Sequence, residues 1–422
     1  MDGTWEYHTK SLSNKYELSP VVSDVEEDIR HKISIARNET KQLQLLIDRI
    51  KSKTKDANLV QMSNGIASII KNRINLSSPL SLSGHHNKIA DFRWSSDSSS
   101  ILSASQDGFL ILWDATSGLK KNAVPLDSQW VLTCAINNSG HLVASAGLTN
   151  NCTIYRISHE NRIQQQIVSI FKGHTCYISC VEFMGNNRII TGSGDMTCAL
   201  WDIPRAKRIT EYVDHLGDVL SVAIPPNRID SNETIFISGG SDGYVRVWDT
   251  RMLSAAQSFF VSESDISTVR FFNNGETIIT GSDDGVARMF DLRSDCLIGT
   301  YSLTQQLQQQ GIQKGRQYSV SHMDYAVSSG LNSYSPTARS VGSSHLDSQG
   351  IVSLDFSASG RLMYACYTDF GCVIWDTLKG DIVGKLNGHA GRISGVRSSP
   401  NGMAVCTGSW DSTMKVWSPN YL

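Results

Sequence analysis

The sequence predicts an all-β fold, a seven-bladed β-propeller, with an N-terminal α-helical coiled-coil arm. Three observations predict it. An aromatic residue ends an apolar strand again and again along most of the chain. An Asp stands six residues before nearly every one of those aromatics. Residues 24–57 follow a different pattern, a heptad repeat.

The aromatic series is Trp113, Tyr155, Trp201, Trp248, Phe290, Trp375 and Trp417, at intervals of 42, 46, 47, 42, 85 and 42 residues. All but one interval fit the roughly 40–45-residue period of WD repeats, with allowance for loop length. The Asp series is Asp107, Asp195, Asp242, Asp284, Asp369 and Asp411; only the second repeat departs, with Thr149. A Gly-His pair adds a third marker at His85, His174 and His389, with Asp214-His215 as a degenerate form. Within the third repeat, near-alternation predicts strands at Tyr177–Phe183, Arg188–Ser193, Thr197–Ile203 and Ile209–Val213. The Asp then lies in the turn between the second and third strands, where it can accept turn N–H groups. In WD-repeat proteins that Asp also bonds the imidazole, which connects to a strand Ser or Thr and to the Trp. His85, His174, His215 and His389 are therefore read as structural.

The 85-residue interval could hold an eighth blade. Gln305–Leu346 has no paired aromatic, no turn Asp and no alternation, and it is rich in Gln and Ser. Such a composition cannot bury a core, so a disordered insertion is expected at about 303–346. Its Ser335-Pro336 makes regulatory phosphorylation one reading and a tolerated surface loop the other. After Trp417 only five residues remain. The segment Leu80–Ser83 is expected to supply the last blade's fourth strand and so close the ring.

The arm carries Ile29, Ala36, Leu43, Ile50 and Ala57 in one heptad series, and Ile33, Thr40, Ile47 and Thr54 in the other. Ser23 and Glu26 have the spacing of a capping box. A narrow apolar stripe on a long helix needs a partner helix, another copy or a different chain, and packing onto the propeller's own side is the other reading. Asn64-Gly65 is expected to break the arm, and Ile66–Arg73 to form a second short helix. The organisation is then a disordered 1–22, a helical arm over 23–75, and the propeller over 76–422.

Composition narrows the function. Formal net charge is −2, which offers no basic stripe for nucleic acid. No apolar run is long enough to span a membrane. The N-terminal residues do not read as a secretory signal, and Ser418–Leu422 lack the cysteine of a prenylation box. The nine cysteines are an odd, scattered set, read as reduced thiols. His174, Cys176 and Cys180 invite a metal reading, but they sit beside an alternating strand with no second cluster. No P-loop, dinucleotide fingerprint or nucleophile elbow is present, and no acid–base pair can be argued. No cofactor and no enzymatic activity are expected.

A heptad arm feeding seven WD repeats resembles the heterotrimeric G-protein beta-subunit family. The stretches Ser103–Asp114 (SASQDGFLILWD), Ser128–Ala135 (SQWVLTCA), Ser193–Asp202 (SGDMTCALWD) and Thr407–Trp417 (TGSWDSTMKVW) carry the resemblance. The insertion is similar to that of the budding-yeast pheromone-pathway type. The resemblance implies pairing with a prenylated gamma subunit through Ile29, Ile33, Ala36, Leu43, Ile47 and Ile50. It implies a peripheral place on the cytoplasmic face of the plasma membrane, with the gamma lipid as the anchor. It implies binding of the GDP-bound alpha subunit within a receptor complex, then release to kinase and scaffold effectors. The implied contact residues are Lys88, Trp130, Leu132, Leu148, Tyr177, Asp218, Leu220, Asp265, Ser267, Asp283 and Trp410. Ala90 departs from the family's usual Tyr, which puts one contact in doubt. The rival reading is a WD-repeat scaffold or corepressor whose helix self-associates.

Overall fold

The computed structural model describes residues 20–54, 59–69, 74, 76–157, 166–226, 234–308 and 349–419. The chain divides into two units, residues 1–56 and residues 57–422.

The described part of the first unit is one helix, α1 (Pro20–Thr54). It begins before the expected cap, so Ser23 lies inside it and residues 20–22 are helical. A proline in the first turn suits a helix start, because its φ is preset and its missing N–H has no intrahelical partner there. Ile29, Ile33, Ala36, Leu43, Ile47 and Ile50 are all exposed on α1. Ile35 and Leu46 are exposed as well. At 100° per residue they fall beside the heptad seam and widen it on one side. Residues 1–19 and Ala57 lie outside the described residues.

The second unit opens with α2 (Leu59–Met62), followed by a 3₁₀ turn over Ser63–Gly65. The helix expected at Ile66–Arg73 is absent over 66–69, where Ile66 is extended. The reason is burial. Ile69, Ile74 and Leu76 pack against the core between the sixth and seventh blades; residues 70–73 lie outside the described residues.

Seven four-stranded antiparallel sheets follow. The first blade runs Ile89–Trp94, Ser100–Ser105, Phe109–Asp114 and Lys120–Pro125, from the innermost strand outward. The third comprises Ile178–Met184, Arg188–Ser193, Cys198–Asp202 and Lys207–Tyr212. Those bounds lie within two residues of the expected ones. Each innermost strand touches the next blade's innermost strand, and the seventh touches the first. The core therefore lies between blades: Ile89, Phe92 and Trp113 of the first pack on Cys406, Met414 and Val416 of the seventh.

The seventh blade is drawn from both ends of the chain. Its outer strand, Leu76–Ser83, pairs antiparallel with Thr413–Pro419, in the register Leu80 to Val416 and Leu82 to Met414. Trp94 Nε1 adds a bond to Arg397 O at 3.0 Å, from the first blade to the seventh.

One expectation fails at the insertion. Residues 303–308 are helical. Leu303 is buried and Leu307 packs beside it on the core between the fifth and sixth blades. Two leucines four apart share a helix face, and that is enough to hold one turn and a half in a Gln-rich segment. Residues 309–348 lie outside the described residues.

The seam makes a prediction. Leu82→Ala should cost about 2–5 kcal/mol in chemical unfolding, the usual cost of a fully buried leucine. Deleting residues 76–84 should lower the melting temperature sharply; an unchanged melting curve would show that the ring closes without this strand.

Candidate functional site: one end of the ring

Four blades carry the same chain of hydrogen bonds. In the first, Trp113 Nε1 donates to Ser103 Oγ (2.8 Å), Ser103 Oγ meets His85 Nε2 (2.7 Å), and His85 Nδ1 meets Asp107 (2.8 Å). The third repeats this with Trp201, Thr191, His174 and Asp195. The fourth uses Trp248, Ser238, His215 and Asp242. The seventh uses Trp417, Thr407, His389 and Asp411. A carboxylate only accepts, so Nδ1 carries the proton and Nε2 accepts from the hydroxyl; the network sets this tautomer. Each Asp also accepts the backbone N–H following its His: His86, Thr175, Leu216 or Ala390.

The fourth blade adds to the device, and the fifth and sixth vary it. In the fourth, Arg246 Nη1 adds a 2.7 Å bond to Asp242. The fifth has no histidine; Ser262 takes its place against Asp284 (2.9 Å), and Arg288 donates to the same carboxylate oxygen (2.7 Å). The sixth breaks the expectation for Asp369. That residue is exposed, and its own N–H donates to Gln349 Oε1. Ala365 stands ten residues before Trp375, where four other blades place the Trp-bonded hydroxyl. Trp375 Nε1 and Tyr367 OH are buried neighbours whose geometry falls short of a hydrogen bond.

Burial lowers the pKa of His85, His215 and His389 and outweighs their Asp partners. The histidines are thus held neutral. Asp107, Asp195, Asp242 and Asp411 are all lowered, Asp411 to about 2; burial opposes this, but the hydrogen bonds from His and backbone amides prevail.

The residue just before each turn Asp faces one end of the ring, and a seven-fold bond fixes it. Its N–H donates to the carbonyl of the residue that precedes the innermost strand. The pairs are Gln106 to Lys88, Leu148 to Trp130, Gly194 to Tyr177, Ser241 to Asp218, Asp283 to Asp265, Thr368 to Gly350 and Trp410 to Arg392. Eight of the eleven expected contact residues fall in these two circles: Lys88, Trp130, Leu148, Tyr177, Asp218, Asp265, Asp283 and Trp410. Leu132, Leu220 and Ser267 fall two residues further in, and with Ala90 they line the mouth of the central channel. Ser267 Oγ is already engaged, donating to Gly281 O (3.1 Å) and to Ile351 O in the next blade.

Arg392 is the residue that the sequence reading missed. It occupies the position of Lys88 in the seventh blade, and that offset was the available signal. Trp410 lies between two cations, Lys88 Nζ at 4.0 Å and the Arg392 guanidinium at 5.0 Å from its ring centroid. An exposed indole held by two cations is a preformed anchor. The opposite arc is acidic, with Asp218, Asp265 and Asp283. Tyr177 OH donates to Asp218 (2.7 Å), and burial together with Asp218 keeps its phenol protonated. Burial and the neighbouring Asp265 raise the Asp283 carboxyl, with Arg392 opposing.

The metal reading is resolved by what its residues touch. His174 is spent on Asp195 and Thr191. Cys180 is buried in the core, which pushes its thiol up to about 12.

Fold and face together define a WD-repeat protein built to bind other proteins. Comparison with known proteins makes this specific. The family described as "G protein beta WD-40 repeat protein" matches residues 31–319, and "WD domain, G-beta repeat" matches residues 338–376 and 380–418. The chain is 60% identical over 402 residues to the "Guanine nucleotide-binding protein subunit beta" of Saccharomyces cerevisiae, covering 95% of this chain and 93% of that one. It is 32% identical over 421 residues to subunit beta-1 of Nicotiana tabacum, covering 96% and 97%. It is 36% identical over 350 residues to the beta subunit of Oryza sativa subsp. japonica, covering 80% and 82%. The chain belongs to the G-protein beta-subunit family, and its function is that of a heterotrimeric G-protein beta subunit. The general scaffold that sequence alone left open has no comparable support.

Two outcomes are expected. Asp195→Ala strips the acceptor from a buried imidazole and a turn amide, and should cost about 1–3 kcal/mol by denaturant titration. Stability should also fall with acid. The folded-state pKa values of the three histidines lie below their unfolded value, so this stability is present above about 6.5 and is lost as pH falls. The turn carboxylates are lowered too, and add a second loss below about pH 4. Melting temperature measured from pH 8 to pH 3 should decline in those two stages.

Proposed function

We propose that this beta subunit pairs permanently with a gamma subunit through α1, and that its ring face alternates between a GDP-bound alpha subunit and effectors. The exposed Trp130 and the doubly flanked Trp410 carry the reading. They stand on the blades either side of the first, on a face whose charge passes from basic (Lys88, Arg392) to acidic (Asp218, Asp265, Asp283). A rigid face with aromatic anchors and separated charge suits one partner at a time, in a set orientation. Nucleotide exchange in the alpha subunit would remove the surface that matches it and free the face.

The exposed stripe on α1 supports the gamma pairing, because a helix with that stripe has apolar area left to cover. The lipid of that partner would place the complex on the cytoplasmic side of the plasma membrane. The resemblance of the insertion to that of the budding-yeast pheromone-pathway type extends the proposal to a pathway whose effectors are kinases and scaffolds.

The test is binding by the purified beta–gamma pair. Trp130→Ala with Trp410→Ala should weaken GDP-alpha binding about 100-fold or more, at hot-spot cost, with melting unchanged because both side chains are exposed. Undiminished affinity would remove the ring face from the alpha contact. Co-expression should yield a one-to-one pair with a prenylated gamma chain, and a homo-oligomer without gamma would refute the arm's assignment.

A further inference from the structure

Equivalent positions around the propeller can be compared directly. The residue after the turn Asp or Thr has positive φ in six blades: Gly108, Asn150, Met196, Gly243, Gly285 and Ser412. Five of these are glycine or small and polar, whereas the third blade places Met196 there, at φ 68°. A long apolar side chain at a left-handed position is costly and poorly suited to a solvent-facing turn. Two residues before the His position stand Ser83, Lys172 and Asn387 in three of the repeats. In the third-to-fourth and fourth-to-fifth connections the same position holds Val213 and Phe260. The residue after the His is His86, Thr175 or Ala390 elsewhere, and Leu216 in the fourth repeat.

These four residues are exposed: Leu216 by 81%, Val213 by 63%, Phe260 by 51% and Met196 by 44%. They belong to one stretch of rim. Val213 and Leu216 lie in the same connection between the third and fourth blades. Leu216 N–H donates to Asp242, and Phe260 pairs across the strands with Tyr244, so both flank the turn at Asp242. The rim adjoins the acidic arc, for Leu216 lies two residues from Asp218. Asp214, Asp218, Glu263 and Asp265 edge it.

We propose that the outer rim of the third and fourth blades is a second docking surface, for a basic amphipathic segment of a partner other than the alpha and gamma subunits. Charge complementarity selects that occupant. Apolar side chains in a row want an apolar stripe, and Asp214 and Glu263 along the edge, which lie outside the expected alpha contact, want Lys or Arg beside it. An acidic segment, a second copy of this net-acidic chain, or a purely apolar one fits less well. The surface is continuous with the ring face at Asp218. A partner could therefore hold the rim while the ring face is occupied and engage that face once it is released.

The test uses the full beta–gamma pair and two synthetic helical peptides, one of Leu and Lys and one of Leu and Glu. The variant is Met196→Gly, Leu216→Ser and Phe260→Ser together. All three side chains are exposed, and the first change relieves a left-handed backbone position, so folding should be preserved; an unchanged melting curve checks this. The Leu/Lys peptide should bind the wild type, more weakly as salt rises, and bind the variant about tenfold or more weaker. The Leu/Glu peptide should not bind. A photo-reactive residue at position 216 should label the Leu/Lys peptide. Equal binding to wild type and variant would overturn the proposal, as would labelling only of alpha, of gamma or of a second copy. Binding of GDP-alpha separates the two readings. Trp130→Ala with Trp410→Ala should leave the Leu/Lys peptide bound, and the rim variant should leave alpha bound. Loss of alpha by the rim variant would make the rim part of the alpha contact and sink its separate role.

Discussion

The turn between the second and third strands of a blade has to present a face residue while hiding its own amide groups. A carboxylate answers both needs. Asp411 accepts from His389, from the Ala390 N–H and from the Thr413 N–H, so its turn is held from three sides. The imidazole is itself anchored through Thr407 to Trp417, in the buried layer of the blade. Trp410 stands directly before that Asp. That end of the ring is therefore an extension of the core: indole, hydroxyl, imidazole, carboxylate, turn, exposed residue. Each link is individually modest in water, but buried and fully satisfied it is costly to break.

Blade number and ring closure could be read from the sequence, the first from a local spacing and the second from the few residues left after Trp417, whereas the expected face residues came with the family resemblance. A Trp, a hydroxyl ten residues earlier and an Asp six residues earlier are reports from one hairpin. What lies across the fold was less legible. Ser262 in place of a histidine has no marker of its own until Asp284 is seen 2.9 Å away. The pair between Arg93 and Glu182 joins the first and third blades inside the channel, and nothing periodic announces it. The equivalent positions hold Arg93, Ala135, Glu182, Ala223, Arg270, Asp355 and Arg397. Asp369 failed for the opposite reason. Its spacing fits, but Ala365 removes the hydroxyl that would have linked it to Trp375. The start of α1 was misplaced because Ser23 and Glu26 match a capping box while Pro20 supplies an equally good start three residues earlier.

The sixth blade shows what replaces the chain when it is missing. Its lock lies at the far end of the same strand. Asp376, almost wholly buried, accepts from Arg361 Nε at 2.7 Å and Nη2 at 2.8 Å. The next residue, Thr377, donates to Gly360 O and accepts Tyr301 OH from the fifth blade through its own carbonyl. Arg361 also reaches Ala67 O, and Lys379 reaches Ser63 O. The sixth blade is thus fastened to its neighbour and to the segment that leads into the ring, at the end away from the face. At the face end it contributes Gly350 and Thr368 to the two circles, without an aromatic or a charge. The blades on either side place Asp283 and Arg392 at that same end of the ring.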